Sequence, residues 1–229
     1  MARPGQGAPE HGSERPPTDV SDADGATSQW AASSGAADDR LRETVVGSRV
    51  VHRGAYVEVR VDDILTPDGR RSTRDIVGHP GAVAIVAIDP EERVLMVRQF
   101  RLAAGQSLLE IPAGTLDRAP DGSLEDPDLA ARRELEEETG YRAATWRHLA
   151  AFWTAPGFAT ELMHLYLATG LESVHGDDRL APDEDERLEL SRFTVDEALA
   201  LVDAGEIVDA KSMLGILWLE RLRRAGELG

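Results

Sequence analysis

The sequence predicts an α+β fold, an α/β/α sandwich on a mixed β-sheet, preceded by a small antiparallel β-meander. Three observations carry this. Residues 44–78 alternate apolar and polar side chains at the two-residue period of strands, with no helical stretch among them. Residues 82–88 are apolar throughout, as in a strand covered on both faces. Helical patterns then recur at irregular intervals between further strands, without the regular βαβ rhythm of a parallel sheet.

Taken in order, residues 1–40 are first set apart. Ala, Gly, Ser and Pro make up 22 of the 40, and Val20 and Trp30 are the sizeable apolar residues. So little apolar surface cannot offset the entropy of ordering, and a disordered tail is expected. Strands follow at residues 45–52 and 56–61, a tight turn at Pro67-Asp68-Gly69, and a returning strand at 74–77. Asp89-Pro90 turns the apolar strand into another at 94–97, and further strands are expected at 146–153, 162–168 and 187–193. A capping box, Thr194-Val195-Asp196-Glu197, opens a helix through Val202. A last helix over residues 210–225 is expected to turn Met213, Leu214, Ile216, Leu217, Leu219 and Leu222 toward a core.

At 229 residues the chain suits one domain with a small appendage. A net charge of −17 argues against nucleic acid and anionic membranes as partners, which need a basic face. The absence of cysteine excludes disulfides, thiolate nucleophiles and Cys-based zinc sites, and fits a cytoplasmic protein. No apolar stretch approaches 18 residues and no signal-type segment opens the chain, so a soluble protein is expected.

The chemistry concentrates in Arg133-Glu134-Leu135-Glu136-Glu137-Glu138-Thr139-Gly140. Asp126 can cap a helix here, Pro127 suits its first position, and Gly140 suits its end. Within that helix Glu134 shares a face with Glu137 and Glu138, three and four residues on. Like charges so placed cost about 0.2–0.5 kcal/mol per pair. A charge run is ordinarily a solvated helix face, but a cation would turn this penalty into binding, and Mg²⁺ is typically held by a few carboxylates plus substrate phosphates.

The pattern Glu125, seven residues, Arg133-Glu134-Leu135, one residue, Glu137-Glu138, one residue, Gly140 resembles the signature of the Nudix hydrolase superfamily. Two positions depart from it. Gly114 stands eleven residues before Glu125 instead of six, so residues 117–123 look like a loop with a five-residue insertion. Tyr141 closes the motif where an aliphatic residue is usual. Arg98-Gln99-Phe100-Arg101, Leu109-Glu110-Ile111-Pro112-Ala113-Gly114 and Ala155-Pro156-Gly157-Phe158 look like the ADP-ribose pyrophosphatase branch, over roughly residues 44–219.

The resemblance implies a Nudix core over residues 79–229 and a meander over 41–78 that joins two chains into a homodimer. It implies metal ligation by Glu134, Glu138, Glu186 and the carbonyl of Ala113, with Mg²⁺, or Mn²⁺, as cofactor. Arg133 would orient the glutamates, with Glu137 close to the metal, and Glu184 in the acidic stretch 183–186 matches the general base. Arg98 and Arg101 would grip the diphosphate, Pro156 marks the substrate loop, and Phe158 would pack on adenine. The reaction implied is hydrolysis of ADP-ribose to AMP and ribose 5-phosphate. The alternatives are another nucleoside diphosphate sugar as substrate, or a non-catalytic ADP-ribose sensor.

Overall fold

A computed structural model of the chain describes residues 39–176, 180 and 187–228. The tail expected over residues 1–40 lies outside these except for Asp39 and Arg40, which with Leu41 form a single 3₁₀ turn. The main body begins at Glu43. Its first three strands, β1 (Thr44–Arg53), β2 (Glu58–Leu65) and β3 (Arg71–Gly78), form the expected antiparallel meander. β2 starts later than its alternation suggests, because the Gly54 N–H bonds the Val57 carbonyl and turns the chain first. It also runs on through Asp62, a buried carboxylate that accepts from Ser48 Oγ at 2.6 Å and Arg60 Nε at 3.0 Å.

The alternation of one strand then sets the layers. β4 (Ala82–Ala87) is buried along its whole length. Val83, Ile85 and Ala87 pack with Ala130, Ala131 and Leu135 of α1 (Pro127–Thr139). Ala84 and Val86 face the other way, toward Ala198 of α2 (Val195–Asp203) and Ile216 and Leu219 of α3 (Ala210–Ala225). A strand with helices on both faces is the centre of an α/β/α sandwich. α3 comes close because of Gly215, where a Cβ would stand 2.9 Å from Ile111 Cδ1 and 3.0 Å from Val86 Cγ2.

β5 (Arg93–Arg101) and β6 (Gln106–Glu110) join β10 (Glu189–Thr194) in a three-stranded sheet of order β10-β5-β6. β7 (Ala113–Thr115), β8 (Tyr141–Trp153) and β9 (Leu162–Ser173) complete a four-stranded sheet of order β7-β4-β9-β8. That sheet is mixed, since β4 runs parallel to β9 while its other pairs are antiparallel. β6 and β7 escape the sequence pattern, being short and separated by Ile111-Pro112. Both exist through distant pairing, Val97 with Glu110 and Val83 with Gly114. Leu217 corrects the core expected for α3: it is 52% exposed, while Ile216, Leu219 and Leu222 are buried at the 3.6-residue period. Among the described residues no helix is long and apolar enough to cross a membrane.

Candidate active site

The helix that bears the glutamates is fixed at both ends by its own sequence. Asp126 accepts from the backbone N–H groups of Asp128 and Leu129, Pro127 takes the first turn, and Gly140 ends it in the left-handed conformation. Its apolar residues press on β4, which brings the neighbouring glutamate face down on β7. Glu134 and Glu138 are consequently buried, at 9% and 6% exposure. Gly114 is the floor beneath them. A Cβ there would lie 1.9 Å from Glu134 Cδ, so the carboxylate occupies the space that any side chain would need.

The Ala113 side chain packs on the opposite face, but its backbone serves the glutamates. Its neighbour Pro112 accepts from Ile85 N–H, and Ala113 itself stands opposite Ala84. In an antiparallel ladder this places Ala113 at a position whose N–H and C=O are directed away from β4. The N–H donates to Glu138 Oε2 at 3.1 Å, and the carbonyl oxygen lies on that same side of the strand. Glu134, Glu138 and the Ala113 backbone are thereby brought together.

Arg133 holds the acids in place. Its guanidinium bonds Glu134 Oε1 at 2.7 Å, Glu137 Oε2 at 2.9 Å and Glu125 Oε2 at 2.9 Å, and reaches the Thr115 carbonyl at 3.3 Å. Burial works against the Arg133 charge, but the bond to Glu125, the field of Glu134 and the bond to Glu137 outweigh it and raise its pKa. Burial likewise pushes the Glu125 carboxyl upward, while Arg133 and the Asp117 N–H pull it further down, leaving it below the ordinary carboxylate value. Glu136, on another face, is buried and takes two bonds from Arg142, at 2.6 and 2.8 Å.

The insertion before Glu125 closes on itself. Ala119 N–H bonds Ser123 O, Gly122 N–H bonds Ala119 O, and Arg118 pairs with Leu124 in an isolated bridge. At its base the Glu125 N–H donates to Asp117 O at 2.8 Å and Asp117 N–H donates back to Glu125 Oε2 at 3.3 Å. The extra residues project from this neck, and Glu125 keeps its hold on Arg133.

Comparison with known proteins bears on what this arrangement is. A NUDIX domain family model matches residues 78–213, and one for the nucleoside diphosphate sugar hydrolase N-terminal domain matches residues 43–77. The chain belongs to the Nudix hydrolase family. It is 39% identical over 180 residues to an ADP-ribose pyrophosphatase of Bacillus subtilis (strain 168), covering 79% of this chain and 94% of that one. It is 42% identical, with the same coverage, to a methanol dehydrogenase activator of Bacillus methanolicus. The crystal structure of an ADP compounds hydrolase superposes with TM-score 0.70 at 24% identity, over 82% of this chain and 98% of the other, which shows likeness of fold. The chain is thus a Nudix enzyme, and its family generally uses a divalent cation, usually Mg²⁺.

The remaining residues singled out in the sequence fall at several places in the Nudix fold. Arg98 is exposed on β5, opposite Leu109 and Glu189. Arg101, at the end of β5, is ion-paired with the buried Glu110. Pro156 and Phe158 are exposed in the loop between β8 and β9. Backbone bonds from Val77 N–H to Phe158 O and from Thr160 N–H to Val77 O tie that loop to the meander. Glu184 and Glu186 lie outside the described residues. Sequence reasoning did not find the use of Gly114 as a floor or Glu110 as the partner of Arg101. Both depend on contacts between elements, and the signal available was only their place in the stretch 109–114.

Proposed function

We propose that this Nudix hydrolase cleaves the diphosphate of ADP-ribose to AMP and ribose 5-phosphate with Mg²⁺ as cofactor. The observation that carries the reading is the buried pair Glu134 and Glu138 laid on the Ala113-Gly114 backbone. These donors are all oxygens, which suits a hard divalent cation. Among the described residues no three acidic or histidine side chains form a complete metal cage. Mg²⁺ accepts such a partial set, because it keeps waters and takes substrate phosphates as further ligands. Glu134, Glu138 and the Ala113 carbonyl would hold it, with Glu186 as a further ligand. When bound, the cation supplies Lewis-acid polarisation of the diphosphate and lowers the pKa of water.

The chain's own groups have separate tasks. Arg133 fixes the orientation of Glu134 and Glu137. Glu184 takes the proton of the attacking water, and an acid–base role of this kind is worth about 10²–10⁴ in rate. Arg98 and Arg101 grip the diphosphate, for which planar guanidinium groups are well shaped, and Phe158 packs on the adenine. A Glu184→Gln enzyme within a few-fold of wild type, beside a crippled neighbour in 183–186, moves the base to that neighbour.

A second reading keeps this chemistry and changes the sugar nucleotide. Identity to the methanol dehydrogenase activator is as high as to the ADP-ribose pyrophosphatase, and the glutamate helix faces metal and phosphate, not sugar. Turnover of ADP-ribose against a panel of nucleoside diphosphate sugars, with products identified by mass, tests both. A higher kcat/KM on another member of the panel replaces ADP-ribose as the substrate.

The meander supports a homodimer. Val45, Val46, Val50 and Val51 on β1 are 43–56% exposed, a row of apolar side chains that a second chain would cover. Sedimentation should give twice the chain mass, and Val51→Asp should lower it; a wild-type monomer at micromolar concentration removes this part of the proposal.

A further inference from the structure

A second set of buried charges lies at the other end of the β5–β7 segment, where the first turn of α3 meets β6. Glu110 is 3% exposed and its two oxygens have different partners. Oε2 accepts from Arg101 Nε at 2.9 Å and pairs with Arg101 Nη2 at 2.7 Å. Oε1 pairs with Lys211 Nζ at 3.1 Å. Lys211 is in turn 3.0 Å from Asp209 Oδ1, the N-cap of α3, and its side chain is 11% exposed. Next to it, Ser212 Oγ accepts from the Ile111 N–H at 2.8 Å, two residues before Ala113. Two consecutive residues of one helix turn, Lys211 and Ser212, thus clasp the strand connection that leads into the site, with Asp209 behind Lys211.

We propose that the first turn of α3 is a positioning element for substrate binding: Lys211 holds Glu110, and Glu110 holds Arg101 ready for the diphosphate. This rests on the reading above in which Arg101 grips that group. The physical reason is preorganisation. An arginine at a strand end adjoining solvent has many rotamers, and freezing them on binding costs affinity. The carboxylate of Glu110 selects one of them in advance through charge-assisted bonds to the guanidinium edge. Burying a carboxylate is costly without a cation against it, and Lys211 supplies one from the first turn of α3. Without Lys211, Oε1 loses its partner, the Glu110 carboxylate is free to turn, and its grip on Arg101 weakens. The effect belongs on KM, because the acids of α1 are untouched.

Steady-state kinetics of the full chain with Mg²⁺ test this, with melting temperature recorded for each variant. ADP-ribose is the probe, replaced by whichever sugar nucleotide of the panel above gives the highest kcat/KM. Glu110→Gln and Lys211→Met should each raise KM about tenfold while kcat stays within about threefold, the size expected for one charge-assisted contact. The double variant Glu110→Gln/Lys211→Met separates positioning from folding. Neutralising both partners should restore the melting temperature lost in Lys211→Met, yet leave KM raised, because Arg101 still lacks its carboxylate. A double variant whose KM returns to wild type overturns the proposal in favour of a purely structural pair. An unchanged or lower KM in Glu110→Gln, beside a raised KM in Arg101→Met, overturns the proposal alone. An unchanged KM in Arg101→Met overturns it together with the assignment of Arg101 to the diphosphate.

Discussion

Two groups of buried charge flank the short segment from Glu110 to Thr115, and they are built on opposite principles. Around Lys211 the charges of the described residues balance: Glu110 and Asp209 face Lys211 and Arg101, in alternation. Around Arg133 the described residues are weighted to one sign, with Glu125, Glu134 and Glu137 on a single guanidinium and Glu138 beside them. Burial of ions is costly unless they are paired. The balanced group has largely met that cost within the fold. The acidic group has met it in part, and its remaining repulsion is what the proposed divalent cation would relieve. The difference would separate the proposed positioning device from the proposed binding site without reference to either one's neighbours in sequence.

Glu138→Gln breaks the acidic group most directly. It keeps the shape and an oxygen for the Ala113 N–H, but removes a ligand charge. Several kcal/mol of transition-state stabilisation rest on such a metal contact, so kcat should fall by about 10³-fold or more. The metal-free protein should melt no lower than wild type, since like-charge repulsion of about 0.2–0.5 kcal/mol per pair is relieved. Near-normal turnover at saturating Mg²⁺ would remove the metal site from α1.

Gly114→Ala sharpens the contrast, because it leaves every charge in place. The new methyl group collides with the Glu134 carboxylate, which must swing off its floor. Overpacking of this kind costs about 1–3 kcal/mol of stability. The Mg²⁺ concentration giving half-maximal activity should rise by about 10–100-fold, the usual effect of disturbing a ligand's support. An unshifted Mg²⁺ titration would mean that the Glu134 position does not matter.

The smallest effect is expected from Glu125→Gln. The pKa of Glu125 is depressed in the fold, so its contribution to stability is complete above the unfolded value of about 4.3 and is lost as pH falls through the lower folded value. Melting curves between pH 6 and pH 3, expressed as differences from wild type, should show the variant less stable near neutrality and the gap closing in acid. A constant gap would place the effect in packing instead of charge.

What could be read from the sequence was what is local. The caps Asp126 and Gly140, the box at Thr194 and Glu197 and the period of α3 are set by residues within a few positions of each other. The glutamate face was equally legible, because helical spacing alone aligns Glu134 with Glu138. β6 and β7 were not, since Pro112 and Gly114 look like interruptions until β5 and β4 are seen to pair with their flanks. Leu217 failed for a related reason: an apolar residue one position past Ile216 is turned about 100° away from the core. Glu110 and Lys211 are separated by most of the fold, and no local pattern joins a carboxylate on a strand to an amine on the last helix.

The neck of the loop before α1 has a bearing on how such a motif is counted. Asp117 and Glu125 are tied by two hydrogen bonds, and everything between them hangs outside. Lengthening a loop whose ends are already closed adds little entropy cost, about 0.6 kcal/mol for each doubling. α1 therefore senses the width of that neck and is indifferent to how much chain is threaded through it. Peptide tags or fluorophores placed among residues 119–123 should ride there as passengers, reporting on the site from outside it.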